Sequence, residues 1–206
     1  MRPLPLTTEM ALAAILGRKT ETRRPLSPQP DWSSEVRHTR LDGMIWPIGS
    51  MGQQCGMALP LSRLPFGLPG QRLWLREPGR VVDISQSAEE SVHFTVEYLA
   101  DKARCGLHLP ERFDPQETNV WPSWVKEGHG IPNGIFREAA RFKTVVTAAR
   151  VERLWDITEA GAKAEGFESR EAFLCAWDGI YGKRPGLRQV LNPWVSVTSW
   201  DKMVPA

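Results

Sequence analysis

A helix that stops at a glycine and passes into a short run of cations and hydroxyls is the most constraining feature of the sequence. Thr7 or Thr8 can cap this helix, because a hydroxyl accepts a bond from a free N–H of the first turn. Residues 10–16 are rich in Ala and Leu, which favour a helix, and Gly17 follows where a left-handed cap is needed. The threonines that come next predict a strand over 19–24, which ends at the prolines beyond it.

The strand pattern leaves the geometry of this run open. In a regular strand Lys19 and Thr22 point to opposite sides. They converge only if Lys19 lies in the turn after Gly17, or if a bulge interrupts the strand. The alternative is a solvated, charged edge strand whose cations discourage aggregation.

The run Gly17-Arg-Lys-Thr-Glu-Thr-Arg-Arg24 resembles the signature of the ASCH domain family of PUA-like β-barrels. The usual pattern is Gly-x-Lys-x-x-Glu-x-Arg, and Thr22 stands where many members have Glu. A branch that includes the bacterial N4-acetylcytidine amidohydrolases has Gly-Arg-Lys-Thr-x-Thr-x-Arg, which the chain fits at every fixed position. Four later blocks are similar to the longer ASCH-like proteins of phages and prophages: Gly70-Gln-Arg-Leu-Trp-Leu-Arg-Glu77, Asp156-Ile-Thr-Glu-Ala-Gly-Ala-Lys-Ala-Glu-Gly166, Trp177-Asp-Gly-Ile-Tyr-Gly182 and Asn192-Pro-Trp-Val195.

The resemblance implies an α+β fold: a PUA-like (ASCH) mixed β-barrel flanked by short helices, with long loop insertions. We expect a single domain over 1–206, with insertions at about 30–65 and 101–130 that no block matches. The resemblance also implies a catalytic triad, which falls on Lys19, Thr22 and Glu165.

This triad is chemically sensible. A Thr hydroxyl is a poor nucleophile and needs a base. Lys19 can be that base only if burial or a nearby cation lowers its pKa from about 10.4. Glu165 ends a predicted helix, an unfavourable place for an acid, and can orient Lys19 or pass a proton to the leaving amine. Attack on an amide carbonyl produces an oxyanion, which Arg24 or a backbone N–H after Gly17 can stabilise. The alternative is a purely structural ion pair between Lys19 and Glu165.

A second group of candidates lies on a predicted strand over 70–77. Trp74 and Arg76 share one face with Arg72, and an aromatic ring between two cations can stack a base. The alternative is that Trp74 covers the barrel rim. Glu77 lies on the apolar face, so it needs a cationic partner, for which Arg24 is the candidate. The predicted nucleotide- or nucleic-acid-binding set is Arg23, Arg24, Trp74, Arg76 and Glu77.

The remaining pattern outlines the fold. Alternation predicts strands over 92–98, 142–154 and 194–200, and capped apolar periodicity predicts helices over 156–165 and 169–177. Residues 25–69 and 101–135 are rich in Gly and Pro and predict loops. Trp121 and Trp124 either line a groove or pack beneath their loop.

Composition excludes several classes of protein. A net charge of +2 excludes a polycation, although 17–40 carries six Lys or Arg against three Asp or Glu, a modest basic patch. Three scattered cysteines indicate a reducing, cytoplasmic location rather than a disulfide framework. Cys105 and His108 have metal-ligand spacing without a second such pair, so neither a metal nor a cofactor is predicted. No signal peptide and no run of about 18 apolar residues is visible, so no membrane partner is expected.

Three hypotheses about function follow. The first is a cleft that binds RNA or a modified nucleoside. The second is hydrolysis of an N4-acylated cytidine in that cleft by Lys19, Thr22 and Glu165. The third is a non-catalytic phage or prophage protein that acts through protein–protein contacts of its Trp-rich loops.

Overall fold

The computed structural model of the protein describes residues 1–30, 39–41, 44–46, 59–60, 64–86, 92–108, 110, 113 and 122–206. Within these residues lie the helices Thr8–Ile15 (α1), Glu159–Ala164 (α2) and Arg170–Tyr181 (α3). Short 3₁₀ turns cover Arg137–Ala139, Leu154–Asp156 and Gln189–Leu191.

The described residues also form twelve strands, so the predicted α+β class is confirmed. The strands are Arg2–Pro5 (β1), Glu21–Pro25 (β2), Thr39–Leu41 (β3), Met44–Trp46 (β4), Leu59–Pro60 (β5), Arg72–Arg76 (β6), Gly79–Gln86 (β7), Val92–Tyr98 (β8), Arg104–His108 (β9), Phe142–Arg153 (β10), Trp194–Trp200 (β11) and Val204–Pro205 (β12).

These strands form one six-stranded sheet and two sheets of three strands. The large sheet has the order β1-β6-β10-β11-β2, with β12 also paired to β10, and the small sheets have the orders β3-β4-β5 and β7-β8-β9. Each order is an open path, so the strands that the structure describes do not close into the predicted barrel. Strand β2 lies at one end of its path, so it is an edge strand of the sheet.

The chain separates into two compact units. Unit 1 contains Met1–Ile15, Leu73–Lys143 and Met203–Ala206, and unit 2 contains Leu16–Arg72 and Thr144–Lys202. The single domain expected over 1–206 stays a prediction. Most of the first expected insertion, at about 30–65, lies outside the described residues, whereas most of the second, at about 101–130, lies within them and includes β9.

Unit 1 is organised around the antiparallel sheet β7-β8-β9. Apolar side chains at alternate positions of β8, including Phe94 and Val96, are buried, and they pack with Val81 of β7. Ile135 completes the centre of this core. In the same unit β1 runs parallel to β6, with Leu4 opposite Leu75.

Unit 2 joins three antiparallel strands to two helices. Strand β10 pairs with β11, which pairs with β2. Its core packs Phe173 and Trp177 of α3 against Val195 and Val197 of β11. The indole N–H of Trp177 donates to the backbone oxygen of Leu187 at 2.7 Å, so this ring is both buried and hydrogen-bonded.

Most regular elements follow the sequence prediction. The strands over 92–98 and 194–200 are confirmed, and the strand over 142–154 ends one residue early. The second helix extends to Tyr181, beyond the predicted end at Trp177. The loops predicted over 25–69 and 101–135 were wrong in part, because β3, β4, β5 and β9 lie within them. These strands are two to five residues long, too short to give a clear period.

The turn at Gly134 is expected to tolerate no side chain. Gly134 has φ +84°, and a Cβ there would lie 2.8 Å from the backbone oxygen of Glu77. Gly128 is the matched control, because it has φ +78° and nothing within 4 Å of its Cβ position. We expect Gly128→Ala to lower the free energy of unfolding by about 1–2 kcal/mol, because alanine is strained in the left-handed backbone conformation. Gly134→Ala should lower it by about 1–3 kcal/mol more, because its Cβ overlaps the backbone oxygen of Glu77. Urea unfolding measures both losses. Equal losses would contradict this account.

Candidate functional site

Lys19 lies outside the regular strand that the sequence predicted for it. Gly17 has φ +72°, which turns the chain sharply after α1, and β2 begins only at Glu21. The hydroxyl of Thr7 accepts from the Met10 N–H at 3.4 Å, so the predicted helix cap is present. Because Lys19 precedes the strand, the alternation of side chains along β2 does not force it away from Thr22. This is the first of the two conditions for their convergence.

Lys19 forms a buried ion pair with Glu165, 146 residues away in the chain. Its Nζ lies 2.5 Å from Glu165 Oε2, and donates also to the backbone oxygens of Glu165 and Glu21, each at 2.8 Å. The Lys19 side chain is 2% exposed and that of Glu165 4%. The three donors of the ammonium therefore have three acceptors in a site closed to solvent.

Glu165 is held at this place by the end of α2. Thr158 caps the helix start by accepting from the Gly161 N–H, and Glu165 is the C-cap residue. The Thr20 N–H donates to the Ala164 oxygen at 2.8 Å, which joins the helix end to the segment before β2. The predicted Glu165 position at the helix end is thus present, and a facing lysine offsets its unfavourable charge there.

Burial lowers the pKa of Lys19 below its ordinary value of 10.5, because a buried site disfavours the ammonium. The Glu165 carboxylate opposes this shift, and the charges of Arg24 and Arg23 add to it.

The second oxygen of Glu165 contacts Arg23. Oε1 accepts the backbone N–H of Arg23 and lies 3.5 Å from its guanidinium. This guanidinium also lies 2.7 Å from Glu21 and 2.8 Å from Glu152. Arg23 is therefore surrounded by three carboxylates, and only 1% of its side chain is exposed.

One face of the β10-β11-β2 sheet carries this charge network. Arg150 of β10 bonds both Glu21 and Glu152, and the Ser199 hydroxyl donates to Glu21 at 2.9 Å. Burial raises the pKa of Glu21, but the bonds and charges of Arg150 and Arg23 outweigh it, so the net pKa lies below 4.5. The alternative of a solvated charged edge strand is therefore wrong, because Lys19, Glu21, Thr22 and Arg23 are all buried.

The other face of the same strands carries polar groups that have no hydrogen-bond partner among the described residues. Thr22 lies directly opposite Thr198, so their side chains share a face, which alternation extends to Ser196 and Trp200. Within the described part of the chain, Ser196 Oγ, Thr198 Oγ1 and Trp200 Nε1 are buried and have no hydrogen-bond partner. The Trp200 ring centre lies 5.9 Å from Lys19 Nζ. Buried polar groups are rarely left unpaired in native proteins, so this row is unusual for a protein interior.

Arg24 closes one end of this face. It lies opposite Ser196 and donates to the Tyr181 hydroxyl at 3.0 Å. Its guanidinium carbon lies 5.9 Å from the centre of the Phe66 ring. The Arg24 guanidinium therefore lies beside two aromatic residues, at the end of the face that carries Ser196.

The other predicted binding residues lie in unit 1. Trp74 is buried, and it lines a cavity together with Arg76. Glu77 is fully buried, and its carboxylate is bound by Arg141, at 2.7 Å and 3.1 Å. The prediction of Arg24 as the partner of Glu77 was therefore wrong. Burial raises the pKa of Glu77 above 4.5, and Arg141 opposes the shift only in part.

Several functional candidates were missed from sequence. Ser196 and Thr198 alternate along a predicted strand, which was a usable signal for a shared face, but not for burial. Arg141 carried no signal, since its partners Glu77 and Asp101 are distant in sequence. Trp124 packs edge-on against Phe113 at 5.3 Å between ring centres, while Trp121 lies outside the described residues.

No group of three or more His, Cys, Asp or Glu that can hold a metal occurs in the described ranges. Of the helices described, none combines the length and apolar character needed to cross a bilayer. Comparisons of the chain with protein-family models, curated proteins and solved structures gave no match.

Proposed function

We propose that the chain is a single PUA-like, ASCH-type domain that binds a modified nucleoside and hydrolyses an N4-acylated cytidine. The observation that carries the proposal is the buried Lys19–Glu165 pair just before a strand in which Thr22 shares a face with a row of polar groups that have no partner among the described residues. The motif resemblance agrees with it, because the amidohydrolase branch has Lys and Thr at the positions of Lys19 and Thr22. An ammonium with a lowered pKa is the property that a lysine base requires.

In the proposed reaction Lys19 first passes a proton to Glu165 Oε2 across their 2.5 Å contact, which leaves a neutral amine. That amine takes the hydroxyl proton of Thr22 as Oγ1 attacks the acyl carbon. The tetrahedral intermediate collapses when the bond from carbon to N4 breaks and Lys19 returns the proton to N4. Cytidine leaves, and the acyl group stays on Thr22 as an ester.

Water completes the cycle. A water molecule gives a proton to Lys19 while its oxygen attacks the ester carbon. The ester bond breaks, Thr22 Oγ1 recovers the proton, and the carboxylic acid leaves. The balance is one acylated cytidine and one water converted to one cytidine and one acid. Arg24, on the same strand face as Thr22, supplies the positive charge beside the oxyanion.

Recognition of the nucleoside is assigned to the unpartnered row. Ser196 and Thr198 offer hydroxyls that donate or accept, and the Trp200 indole donates. Such groups match the polar edge of a pyrimidine. A ligand that pairs them removes the penalty of leaving them unpaired, which favours this nucleoside over an apolar analogue.

The test is turnover of N4-acetylcytidine by the purified full chain, followed as release of cytidine and acetate. Thr22→Ala should abolish turnover, whereas Thr22→Ser should keep part of it because it retains a hydroxyl. Thr147→Ala is the matched control, since it makes the same change at an exposed position of β10. Unchanged turnover in Thr22→Ala, or no turnover and no binding in the unaltered protein, would refute the proposal.

A binding variant separates recognition from folding. Thr198→Val removes an unpartnered buried hydroxyl while keeping the shape of the side chain. We expect a higher KM, an almost unchanged kcat and no loss of thermal stability. A lower melting temperature with an unchanged KM would mean that the hydroxyl is structural. Titration with single-stranded RNA at two salt concentrations tests whether the protein binds the free nucleoside or the nucleoside within an RNA strand.

A further inference from the structure

Unit 1 contains a cavity of about 380 Å³ that the proposed reaction does not use. Its described lining is apolar and aromatic apart from two arginines: Trp74, Arg76, Phe113, Trp124, Ile131, Pro132, Gly134, Ile135, Phe136 and Arg137. The volume lies within the range of about 300–1,000 Å³ that is usual for small-molecule sites.

The aromatic side chains form a connected wall. Trp124 lies 5.3 Å from Phe113 and 6.1 Å from Phe136, between ring centres, and Phe113 lies 5.6 Å from Phe136. Trp74 adds a fourth ring to the lining, and it is only 7% exposed. Such a wall offers flat surface for a planar ligand.

Arg76 gives the cavity an unsatisfied donor. Its Nε is buried and, in the described part of the chain, has no hydrogen-bond partner. Other arginines of this unit contrast with it, since Arg141 binds Glu77 and Arg80 binds Glu97. None of the described lining residues is acidic. Among the described residues, therefore, no lining carboxylate balances the positive charge of the two arginines.

The cavity wall is held in place by backbone bonds. The Ile135 N–H donates to the Glu77 oxygen at 2.9 Å, and the Ile131 N–H donates to the Gly79 oxygen at 2.9 Å. The Tyr98 hydroxyl donates to the Ala139 oxygen at 2.7 Å, which fixes the end of the same segment. A preformed site loses little freedom on binding.

We infer that this cavity binds a planar aromatic anion, with its ring against the aromatic wall and its anionic group on Arg76. A guanidinium binds carboxylate and phosphate alike through parallel N–H bonds, so aryl carboxylates and nucleoside monophosphates share the required chemistry. Arg137, exposed at the cavity lining, adds a second charge toward the anionic group. The inference is independent of the reaction proposed for unit 2.

The experiment is isothermal titration of the full chain with four probes: cytidine 5′-monophosphate, adenosine 5′-monophosphate, 1-naphthoate and unphosphorylated adenosine. We expect saturable binding of at least one anion, with a Kd raised at least tenfold in Arg76→Gln and in Trp124→Leu. Arg72→Gln is the control, because Arg72 is exposed on the same strand and does not line the cavity. Preference among the anions distinguishes a nucleotide from an aryl carboxylate.

Thermal unfolding separates a loss of binding from a loss of stability in the variants. Because the Arg76 Nε–H has no partner to lose, Arg76→Gln should leave the melting temperature unchanged or raise it. A structural arginine would lower it instead. The inference is overturned if no anion binds, if adenosine binds as tightly as its monophosphate, or if the Kd is unchanged in Arg76→Gln.

Discussion

Replacement of Glu165 by Ala is expected to lower the free energy of unfolding by about 3–5 kcal/mol, because it leaves a buried ammonium without its counter-ion. Lys19 is 2% exposed, and after the change its Nζ keeps only the backbone oxygens of Glu21 and residue 165. Two carbonyl dipoles do not replace a full negative charge in a site of low polarity. Urea unfolding at neutral pH, followed by circular dichroism, measures the loss.

The double variant Lys19→Met/Glu165→Gln identifies the cause. With the ammonium gone, the buried site no longer needs a carboxylate, so most of the lost stability should return. The unfolding free energies of the unaltered protein, Lys19→Met, Glu165→Gln and the double variant give the coupling between the two side chains. A loss below about 1 kcal/mol in Glu165→Ala, the range of a surface pair, would contradict a buried ion pair.

The pH dependence has a definite sign. The folded pKa of Lys19 lies below its unfolded value of 10.5, so between these values the unfolded chain binds more protons than the folded protein. Stability from this group therefore rises with pH across that window. The cost of Glu165→Ala should be largest where Lys19 is charged, and should shrink as the pH approaches 10.5.

Replacement of Arg23 by Gln is the second large effect that we expect, again about 3–5 kcal/mol at neutral pH. The guanidinium lies between the carboxylates of Glu21, Glu152 and Glu165, and its side chain is 1% exposed. Without it, three carboxylates face one another in a largely buried place. Urea unfolding measures the change.

Arg150→Gln is the matched control for this prediction. Arg150 binds the same two carboxylates, Glu21 and Glu152, but its side chain is 39% exposed. Water screens a partly exposed pair, so the loss should be about 1 kcal/mol or less. Equal losses in the two variants would mean that burial does not govern this network.

At acidic pH, the free energy of unfolding of Arg23→Gln should differ less from that of the unaltered protein than it does at neutral pH. The folded pKa of Glu21 lies below its unfolded value of 4.5, so its contribution to stability is present above that value and is lost as the pH falls through the folded pKa. Once Glu21 is protonated, it no longer needs the guanidinium. If the difference in unfolding free energy between the two proteins stays constant until acid unfolds them, this explanation is wrong.

Local elements were predictable because they depend on near neighbours. The cap at Thr7, the turn at Gly17, and the caps at Thr158 and Ser169 each involve residues at most three or four positions apart. Strands β8 and β11 also have the predicted bounds, because alternation needs only a few consecutive residues. The shortest strands escaped prediction for the same reason, since they contain too few residues to show a period.

The sequence by itself determined the helix caps, the glycine turn, the alternation of β8 and β11, and the motif that pointed to Lys19, Thr22 and Glu165. Only the tertiary structure decided that Lys19 meets Glu165 and that Arg141 rather than Arg24 neutralises Glu77. It also decided that the hydroxyls of Ser196 and Thr198 are buried with no partner in the part of the chain that the structure describes. The physical reason is separation along the chain. Caps and alternation follow from local backbone geometry, whereas burial and charge pairing depend on which distant segments pack together.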